Sequence, residues 1–328
     1  YTSVMLMMDA DEDGSHIKGL ILNFISYFYP SLLKIENFIK VLTTPVIKIS
    51  NKNNVISFQN LSSYNVWKKT NDYTKFKIKY YKGLGTSTSK EANEYFSNID
   101  KHLYFINSES EDHPNPSLEL VFNKKMADNR KSWLSNYDPE KILEFSPNLK
   151  LTVKKFINFE LKHFSNYDNI RSIPSLIDGF KPSQRKVLYS SFKKNIYEEI
   201  KVAQLAGYVS ENTAYHHGEA SLISTIINMA QDYLGSNNLN LLLPNGQFGS
   251  RLMGGKDSSS PRYIFTKLSE YSNQLFNPQD FPILEYLNEE GQNIEPKYYV
   301  PTLPLILING SEGIGTGFST KIPSFNPD

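Results

Sequence analysis

The sequence predicts a multidomain chain that combines an α/β part with an α+β part. At 328 residues, the chain is long enough for two or three domains with sizeable cores. To about residue 105, strand-like and helix-like patterns alternate, beginning with the apolar run Val4 to Met8 and a helical spacing of apolar residues from Ile17 to Phe28. From about residue 151 the pattern is mainly helical, and from about residue 276 it is Pro-rich and strand-like, as in Tyr298 to Leu307.

These changes of pattern divide the chain into the segments 1–105, 106–150, 151–275 and 276–328. The second segment mixes charged residues, Pro and Asn around a short helical pattern from Lys124 to Trp133, which is typical of a connector. In the third, apolar residues from Leu222 to Leu234 predict a helix that Gly235 ends. The chain begins at Tyr1 and stops at Asp328 without an obvious terminating element, so we expect it to be part of a longer protein.

An acidic turn after the first apolar run is the most informative motif. Asp9, Asp11 and Asp13 alternate there, and carboxylates so close together repel one another unless a cation such as Mg²⁺ neutralises them. An EF-hand loop also begins this way, but its twelfth position must be Glu and is here Leu20. Helix capping explains one Asp or Ser15, but hardly three carboxylates. We therefore predict a Mg²⁺ site formed by the three aspartates.

Composition excludes several kinds of site. The chain has no Cys, which rules out disulfides, thiolate zinc sites and Cys nucleophiles. No run of about 18 apolar residues predicts a membrane span. The net charge is only +1, but six cationic residues and one acid lie between Arg171 and Lys194. This patch suits contacts with nucleic acid phosphates, although a solvated helix face is the commoner origin of a short basic run.

Five motifs occur in an order that resembles a known family. The acidic turn resembles the DxDxD motif of a TOPRIM domain. It is followed by Tyr80 to Ser87, Asp178 to Lys186, Tyr215 to Glu219 and Pro261 to Tyr263, as in the eukaryotic-type type IIA DNA topoisomerases, topoisomerase II. The resemblance runs nearly from end to end. It implies the C-terminal half of a TOPRIM α/β fold in 1–105, a winged-helix DNA-cleavage domain in 151–275, and the start of a tower domain in 276–328.

The resemblance also implies residue roles. Tyr263 would be the nucleophile, with Arg262, His216 and His217 around the scissile phosphate. Among 21 tyrosines, only its context distinguishes Tyr263. The expected DNA contacts are Arg171, Lys181, Arg185, Lys82 and Ile314. Lys181 and Arg185 lie four residues apart, so we expect both to reach the DNA backbone from one helix face. An apolar side chain between glycines can wedge between bases, which suits Ile314.

The activity implied is that of a DNA topoisomerase II: Mg²⁺-dependent cleavage and religation of both strands through a 5′-phosphotyrosyl link, with ATP-driven duplex passage. ATP would bind to a domain outside this chain, and a further catalytic Glu would precede Tyr1. The expected partners are double-stranded DNA and a second copy of the chain, in a homodimer. No contact with a membrane is expected. The expected location is the nucleus if the protein is cellular, or host cytoplasm or the virion if it is viral. The alternative is a non-catalytic DNA-bending clamp.

Overall fold

The computed structural model describes residues 2–52, 54–81, 83–110, 112–289 and 291–327, without the side chains of residues 61 and 62. Contacts divide the chain into two compact units. Unit 1 comprises Tyr1–Asp168 and Thr316–Phe318, and unit 2 comprises Asn169–Gly315 and Ser319–Asp328. Within the described ranges, no helix is both long and apolar enough to cross a membrane.

Unit 1 contains two β-sheets and most of the helices of the first half of the chain. In chain order its elements are β1 (Val4–Met7), α1 (Glu12–Phe28), α2 (Pro30–Lys34), β2 (Ile39–Leu42), β3 (Ile47–Ser50), β4 (Val55–Phe58), α3 (Leu61–Thr70), β5 (Lys77–Tyr80), α4 (Ser89–Ser97), β6 (Leu103–Asn107), α5 (Pro116–Phe122), α6 (Ala127–Ser135), β7 (Leu149–Thr152), α7 (Val153–Phe156) and α8 (Lys162–Ser172). A π-helical segment, Ile157–Leu161, joins α7 to α8, and the last residues of α8 belong to unit 2.

The larger sheet of unit 1 has the strand order β1-β2-β6-β7. Its β1–β2 and β6–β7 pairs are parallel, and its central β2–β6 pair is antiparallel. The smaller sheet, β4-β3-β5, is antiparallel throughout. The larger sheet buries Ile39, Val41, Tyr104, Ile106 and Leu151 in one core with α1, α5 and α7. A separate small core around Ile47 and Ile49 supports the second sheet.

The predicted order of strand, acidic turn and helix is confirmed by β1 and α1. An apolar run such as Val4 to Met8 is typical of a buried strand, but the structure contradicts this expectation. β1 is an edge strand, and of its four residues only Leu6 is buried. On α1 the residues that face the core include Leu22, Ile25 and Gly19, and the missing side chain of Gly19 lets the helix approach Leu161 and Phe122 closely. Four apolar residues of the predicted face are exposed instead: Ile17, Leu20, Phe24 and Phe28.

Unit 2 is mainly helical, with short two-stranded sheets. Its elements are α9 (Pro182–Lys194), β8 (Ile200–Lys201), α10 (Val202–Asn212), α11 (Glu219–Ala230), β9 (Phe265–Thr266), α12 (Ser272–Leu275), β10 (Tyr286–Glu289), β11 (Gln292–Pro296), α13 (Leu305–Ile308), β12 (Ser311–Ile314) and β13 (Ser319–Ile322). Strands β8–β9, β10–β11 and β12–β13 pair antiparallel. Helices α9, α10 and α11 share one core that includes Val187, Leu205, Leu222 and Ile226.

Two sequence-based predictions in unit 2 are wrong in detail. Helix α11 ends at Ala230 rather than near Gly235, since the buried Gln231 side chain donates to the carbonyl of Phe248 at 2.8 Å and its own carbonyl accepts from Asn237. The strand-like segment Tyr298 to Leu307 contains no described strand. Its end forms α13, whose Leu305 and Ile308 are buried.

The contact-based division does not coincide with the boundaries predicted at residues 105 and 150. Strand β7 and the helical residues to Asp168 pack within unit 1, because β7 pairs with β6 and Phe156, Ile157 and Leu161 are buried in its main core. Helices α5 and α6, in the predicted connector, also belong to unit 1. The functional labels given to the four segments remain predictions.

Candidate functional site

The acidic turn is held by hydrogen bonds to two of its carboxylates. Asp11 is the N-cap of α1, and its Oδ1 accepts from the backbone N–H of Gly14 at 2.7 Å. Asp9 Oδ1 accepts from the backbone N–H of Leu84 at 2.7 Å. Gly14 has to be glycine, since a Cβ there would lie 2.1 Å from the carbonyl oxygen of Asp9. Asp9 and Asp11 are both exposed.

The loop after β5 that contains Gly83 and Gly85, which we call the glycine loop, packs directly against Asp9. A Cβ on Gly83 would lie 2.7 Å from Asp9 Oδ1, so only glycine allows this approach. The loop therefore does more than reverse the chain, because its Leu84 N–H orients a carboxylate of the acidic turn. Lys82, the predicted phosphate contact in this loop, lies outside the described residues.

Glu91 forms hydrogen bonds with residues on both sides of the glycine loop, a role that was not predicted from the sequence. Its carboxylate accepts from Lys79 Nζ at 2.9 Å, from the Tyr81 hydroxyl, and from the backbone N–H of Thr88 at 2.8 Å. Burial alone would raise the pKa of Glu91, but these hydrogen bonds lower it to about 2. The only sequence signal was the Thr88-x-x-Glu91 capping box.

A buried polar network anchors α1 just beyond the acidic turn. Lys18 Nζ contacts the Glu160 carboxylate and lies 3.2 Å from the Tyr104 hydroxyl, which donates to Glu160 Oε1 at 2.9 Å. Burial raises the pKa of Tyr104 well above its ordinary value. Since removing one member would leave buried polar groups unpaired, the network holds α1 in a single position.

The structure does not bring the three aspartates together. Among the described residues, no group of three or more His, Asp or Glu side chains lies close enough to hold a metal ion. Asp13 lies in the first turn of α1, two residues after the N-cap Asp11. Asp9 and Asp11 each use one carboxylate oxygen in the hydrogen bonds above, which leaves the other for a cation. Two carboxylates fit Mg²⁺, which commonly takes one or two and keeps several waters.

Tyr263, in unit 2, presents an exposed phenol on a fixed backbone. Its side chain is 77% exposed, whereas the next residue, Ile264, is buried against Gly246. The carbonyls of Pro261 and Ile264 accept from Ala203 and Val202 at the start of α10, each at 3.1 Å. The turn is closed by the Tyr263 N–H, which donates to Ser260 at 3.0 Å. Arg262 is exposed beside it.

The expectation that Lys181 and Arg185 share an exposed helix face is wrong. Arg185 is only 5% exposed. Its Nε and Nη2 donate to the two oxygens of Asp178 at 2.8 and 3.1 Å. Lys181 precedes the helix as its N-cap, and its N–H donates to Gln184. Arg185 therefore has a structural role as the partner of Asp178. The shared helix face no longer supports its predicted contact with DNA.

Asp178 is the centre of this arrangement. Its fully buried carboxylate also accepts from the backbone N–H groups of Phe180 at 3.0 Å and Tyr299 at 2.9 Å. It thereby ties the segment before α9 to the segment after β11. Gly179 adopts φ +75°, and a Cβ there would lie 2.9 Å from the backbone of Ile306. The motif from Asp178 to Lys186 is thus largely a folding motif.

The basic patch also loses Lys186. This lysine pairs with the buried Glu295 at 2.9 Å and donates to the carbonyl of Thr213 at 2.6 Å. Lys193 and Lys194, in the last turn of α9, are exposed. The predicted contact Arg171 is half-buried in the last turn of α8. Local charge counted from the sequence therefore overstates what this segment offers to phosphates.

His216 and His217 precede α11, as predicted, and both are exposed. His216 Nε2 contacts the carboxylate of Glu289 in β10. The ring of His217 meets that of Tyr215 edge to face, with the ring centres 5.4 Å apart. The sequence offered no signal for Glu289, which lies 73 residues away from His216.

Ile314 ends β12 with a 75% exposed side chain. The neighbouring glycines serve the packing of the hairpin itself. A Cβ on Gly313 would lie 2.2 Å from the Ser172 carbonyl, and one on Gly315 would lie 2.1 Å from the Asn169 side chain. Close packing on the end of α8 is therefore a reason for these glycines, and the access of Ile314 to DNA stays a prediction.

Comparisons with known proteins identify the family. The family model for the A chain of DNA gyrase/topoisomerase IV matches residues 171–328, and the family model for the C-terminal associated domain of TOPRIM matches residues 42–169. The chain is 52% identical to DNA topoisomerase 2 of Saccharomyces cerevisiae over 332 residues, which is 100% of this chain. The chain belongs to the type IIA DNA topoisomerase family.

Other members of the topoisomerase II family are similar in sequence and structure. Human DNA topoisomerase 2-alpha is 52% identical over 99% of this chain. A solved structure of the Plasmodium falciparum topoisomerase II DNA-binding, cleavage and re-ligation domain is 51% identical, with a TM-score of 0.85, and the match covers 99% of this chain and 44% of that one. The chain spans 23% of the length of the yeast relative and 22% of the human one.

Proposed function

We propose that this chain carries the DNA cleavage and religation chemistry of a topoisomerase II, with Tyr263 as the nucleophile. The exposed Tyr263 phenol is the observation that carries the proposal. The rings of core tyrosines are buried by packing, but the Tyr263 side chain is exposed. It projects from a turn whose backbone is held by hydrogen bonds to the residues before and after Tyr263. A fixed nucleophile reduces the entropy lost when it meets a phosphate.

The proposed reaction exchanges one phosphodiester for another. The Tyr263 Oη loses its proton and attacks phosphorus, and the bond from phosphorus to the 3′ oxygen breaks. The products are a 5′-phosphotyrosyl link and a 3′-hydroxyl, which takes up a proton. Arg262 provides a planar fork of donors matched to the non-bridging phosphate oxygens. The reverse attack by the 3′-hydroxyl reseals the strand, because the phosphoester bond is conserved in the link.

Asp9 and Asp11 are the residues that we propose to hold Mg²⁺. When bound, the ion would stabilise the charge that develops on the reacting oxygens. The chain contributes the orientation: Leu84 N–H fixes Asp9, and the start of α1 fixes Asp11. Asp13, in the first turn of α1, is the third ligand predicted from the sequence and stays a prediction.

DNA would be held by phosphate contacts and bent by an apolar wedge. Lys181 lies at the N-terminus of α9, where backbone N–H groups and the helix dipole also favour an anion. Arg171 and the two exposed lysines at the end of α9 are further candidates. Ile314, exposed at the end of β12, is the proposed wedge, since an apolar side chain inserted at a base step kinks a duplex.

The activity of the complete protein goes beyond this chain. Because both strands are cut, two tyrosines are needed, which leads us to propose a homodimer that acts on double-stranded DNA. ATP would be bound by a domain outside this chain. We retain the assignment of 1–105 to TOPRIM, 151–275 to a winged-helix domain and 276–328 to the start of a tower domain as part of this proposal. A nuclear location, or a cytoplasmic or virion location for a viral protein, is likewise proposed.

Strand polarity tests the proposal directly. The complete protein is incubated with Mg²⁺ and duplex DNA labelled at either the 3′ or the 5′ end, the reaction is stopped with detergent, and the two DNA strands are then separated by heating in formamide. We expect the 3′-end label to stay attached to protein and the 5′-end label to be released on a strand ending in a 3′-hydroxyl. DNA that is bound and bent but never attached would support the clamp, and attachment of the 5′-end label would contradict the proposed bond cleavage.

A further inference from the structure

The hairpin formed by β10 and β11 touches the segment that carries the two histidines. We call residues 213–218, between α10 and α11, the histidine loop. Two acidic side chains of the hairpin, one from each strand, are linked to it, one directly and one through a lysine. Glu289 of β10 contacts the His216 imidazole, and Glu295 of β11 acts through Lys186 on the Thr213 carbonyl. The hairpin thus contacts a side chain of the loop directly and is linked to the loop backbone through Lys186 of α9.

The backbone contact is buried and specific. The carboxylate of Glu295 lies 2.9 and 3.0 Å from Lys186 Nζ, which also donates to the Thr213 carbonyl at 2.6 Å. Burial raises the pKa of Glu295, and the neighbouring Lys186 opposes that rise. A buried ion pair tolerates little displacement, because a charge that loses its partner is strongly unfavourable there. This pair therefore fixes where the histidine loop begins.

The loop leaves that point in a constrained conformation. Ala214 adopts φ +47°, a left-handed conformation that is uncommon for a residue with a Cβ. Such conformations persist where the surroundings hold them. Two residues later the His216 side chain projects into solvent, and its Nε2 meets Glu289. The side chains of His216 and Glu289 are 40% and 35% exposed, so a large ligand can still approach the ring.

We propose that Glu289 is a positioning residue for His216. This inference rests on the proposed function, because it concerns the histidine expected at the scissile phosphate. Glu289 accepts from Nε2–H and so sets the orientation of the ring. Since a phosphate oxygen only accepts, Nδ1 must also carry a proton to bind it, and the imidazolium then donates from Nε2 to Glu289 and from Nδ1 to the phosphate. The hairpin orients the imidazole before DNA arrives, which is more effective than ordering a mobile side chain on binding.

A double-mutant cycle tests whether Glu289 acts through His216. The variants are E289A, H216A and the double variant, made in the complete protein. The readout is the single-turnover rate of protein–DNA adduct formation at saturating DNA, and DNA affinity is measured separately. We expect E289A to slow adduct formation roughly tenfold with little change in affinity, less than the 10²–10⁴-fold typical of losing a group that acts in the transition state. In the H216A background, E289A should have no further effect.

Glu285 provides the matched control. Its carboxylate pairs with Lys297 beside the same hairpin, in an exposed ion pair that does not involve the histidine loop. E285A should leave the rate unchanged. If E289A lowers the melting temperature, E289M replaces it in the cycle, since Met has a similar length but no oxygen that accepts from Nε2–H. Rate losses that multiply in the double variant, or an E289A rate equal to that of the unchanged protein, would overturn the inference. Absence of any adduct from the unchanged protein would instead overturn the proposed function.

Discussion

Replacing Arg185 with Met separates a structural role for this arginine from a role in DNA binding. In the structure, Asp178 is fully buried and accepts four hydrogen bonds, two of them from Arg185. R185M removes those two together with the paired positive charge, and leaves the backbone N–H groups of Phe180 and Tyr299. Breaking a buried ion pair from one side costs ~3–5 kcal/mol.

For a unit of this size, that loss lowers the melting temperature by roughly 6–20 °C, at ~2–4 °C per kcal/mol. Far-UV circular dichroism follows both units, whereas the two tryptophans, Trp67 and Trp133, lie in unit 1. The loss should therefore appear in circular dichroism at least as early as in tryptophan fluorescence. K193M is the control, since Lys193 is exposed on the same helix, and it should change stability by no more than ~0.5 kcal/mol.

The refuting result is an R185M protein that melts like the unchanged one but binds DNA less tightly. The slope of log affinity against log salt would then fall by about one unit, as expected for a lost phosphate contact. That outcome would show that Arg185 leaves Asp178 to meet the DNA backbone. It would restore the contact that the sequence predicted.

Three further outcomes follow from the same structure. G179A should destabilise unit 2 by more than ~2 kcal/mol in urea unfolding, because Gly179 has a φ of +75° and the Ile306 backbone leaves no room for a Cβ. G207A is the control: a Cβ at Gly207 would meet no other atom within 4 Å, so this variant should be neutral or stabilise by up to ~1 kcal/mol. Glu91 has a pKa lowered to about 2, so its contribution to folding stability is complete above its ordinary pKa near ~4.3 and is lost as the pH falls through about 2. The difference in stability between the unchanged chain and E91Q, followed by tryptophan fluorescence, should therefore shrink over that pH range. K181A should weaken binding equally on all duplex sequences and lower the salt slope by about one unit, and a sequence-dependent loss would contradict a backbone contact.

Local motifs were predictable from the sequence where the cause is local. The strand, acidic turn and helix around Asp9 follow from apolar periodicity and capping residues, and the structure confirms their order. The burial of these elements was not predictable, because it depends on neighbours. Helix α1 faces the core with Leu22, Ile25 and Gly19, and Gly19 allows the helix to pack closely on Leu161.

Long-range pairing was also out of reach. Charge counted along the chain cannot show that Arg185 and Lys186 are neutralised by Asp178 and Glu295, because a partner can lie more than a hundred residues away, as Glu295 does from Lys186. The same holds for Leu84 and Asp9, which lie 75 residues apart. The sequence of a charged run is the same whether its side chains face solvent or pair with opposite charges elsewhere in the chain. Only the fold decides which charges remain for a ligand.

The covalent adduct of Tyr263 tests the central claim most directly. Y263F removes one oxygen and keeps the ring, and the exposed position means that no packing is lost. Y298F is the control, as another exposed tyrosine of unit 2. The complete protein is incubated with Mg²⁺ and duplex DNA, and DNA that remains attached to protein after detergent treatment is counted. We predict that Y263F binds DNA as before and forms no adduct, while Y298F forms the usual amount. Adduct formation by Y263F would show that a different tyrosine is the nucleophile.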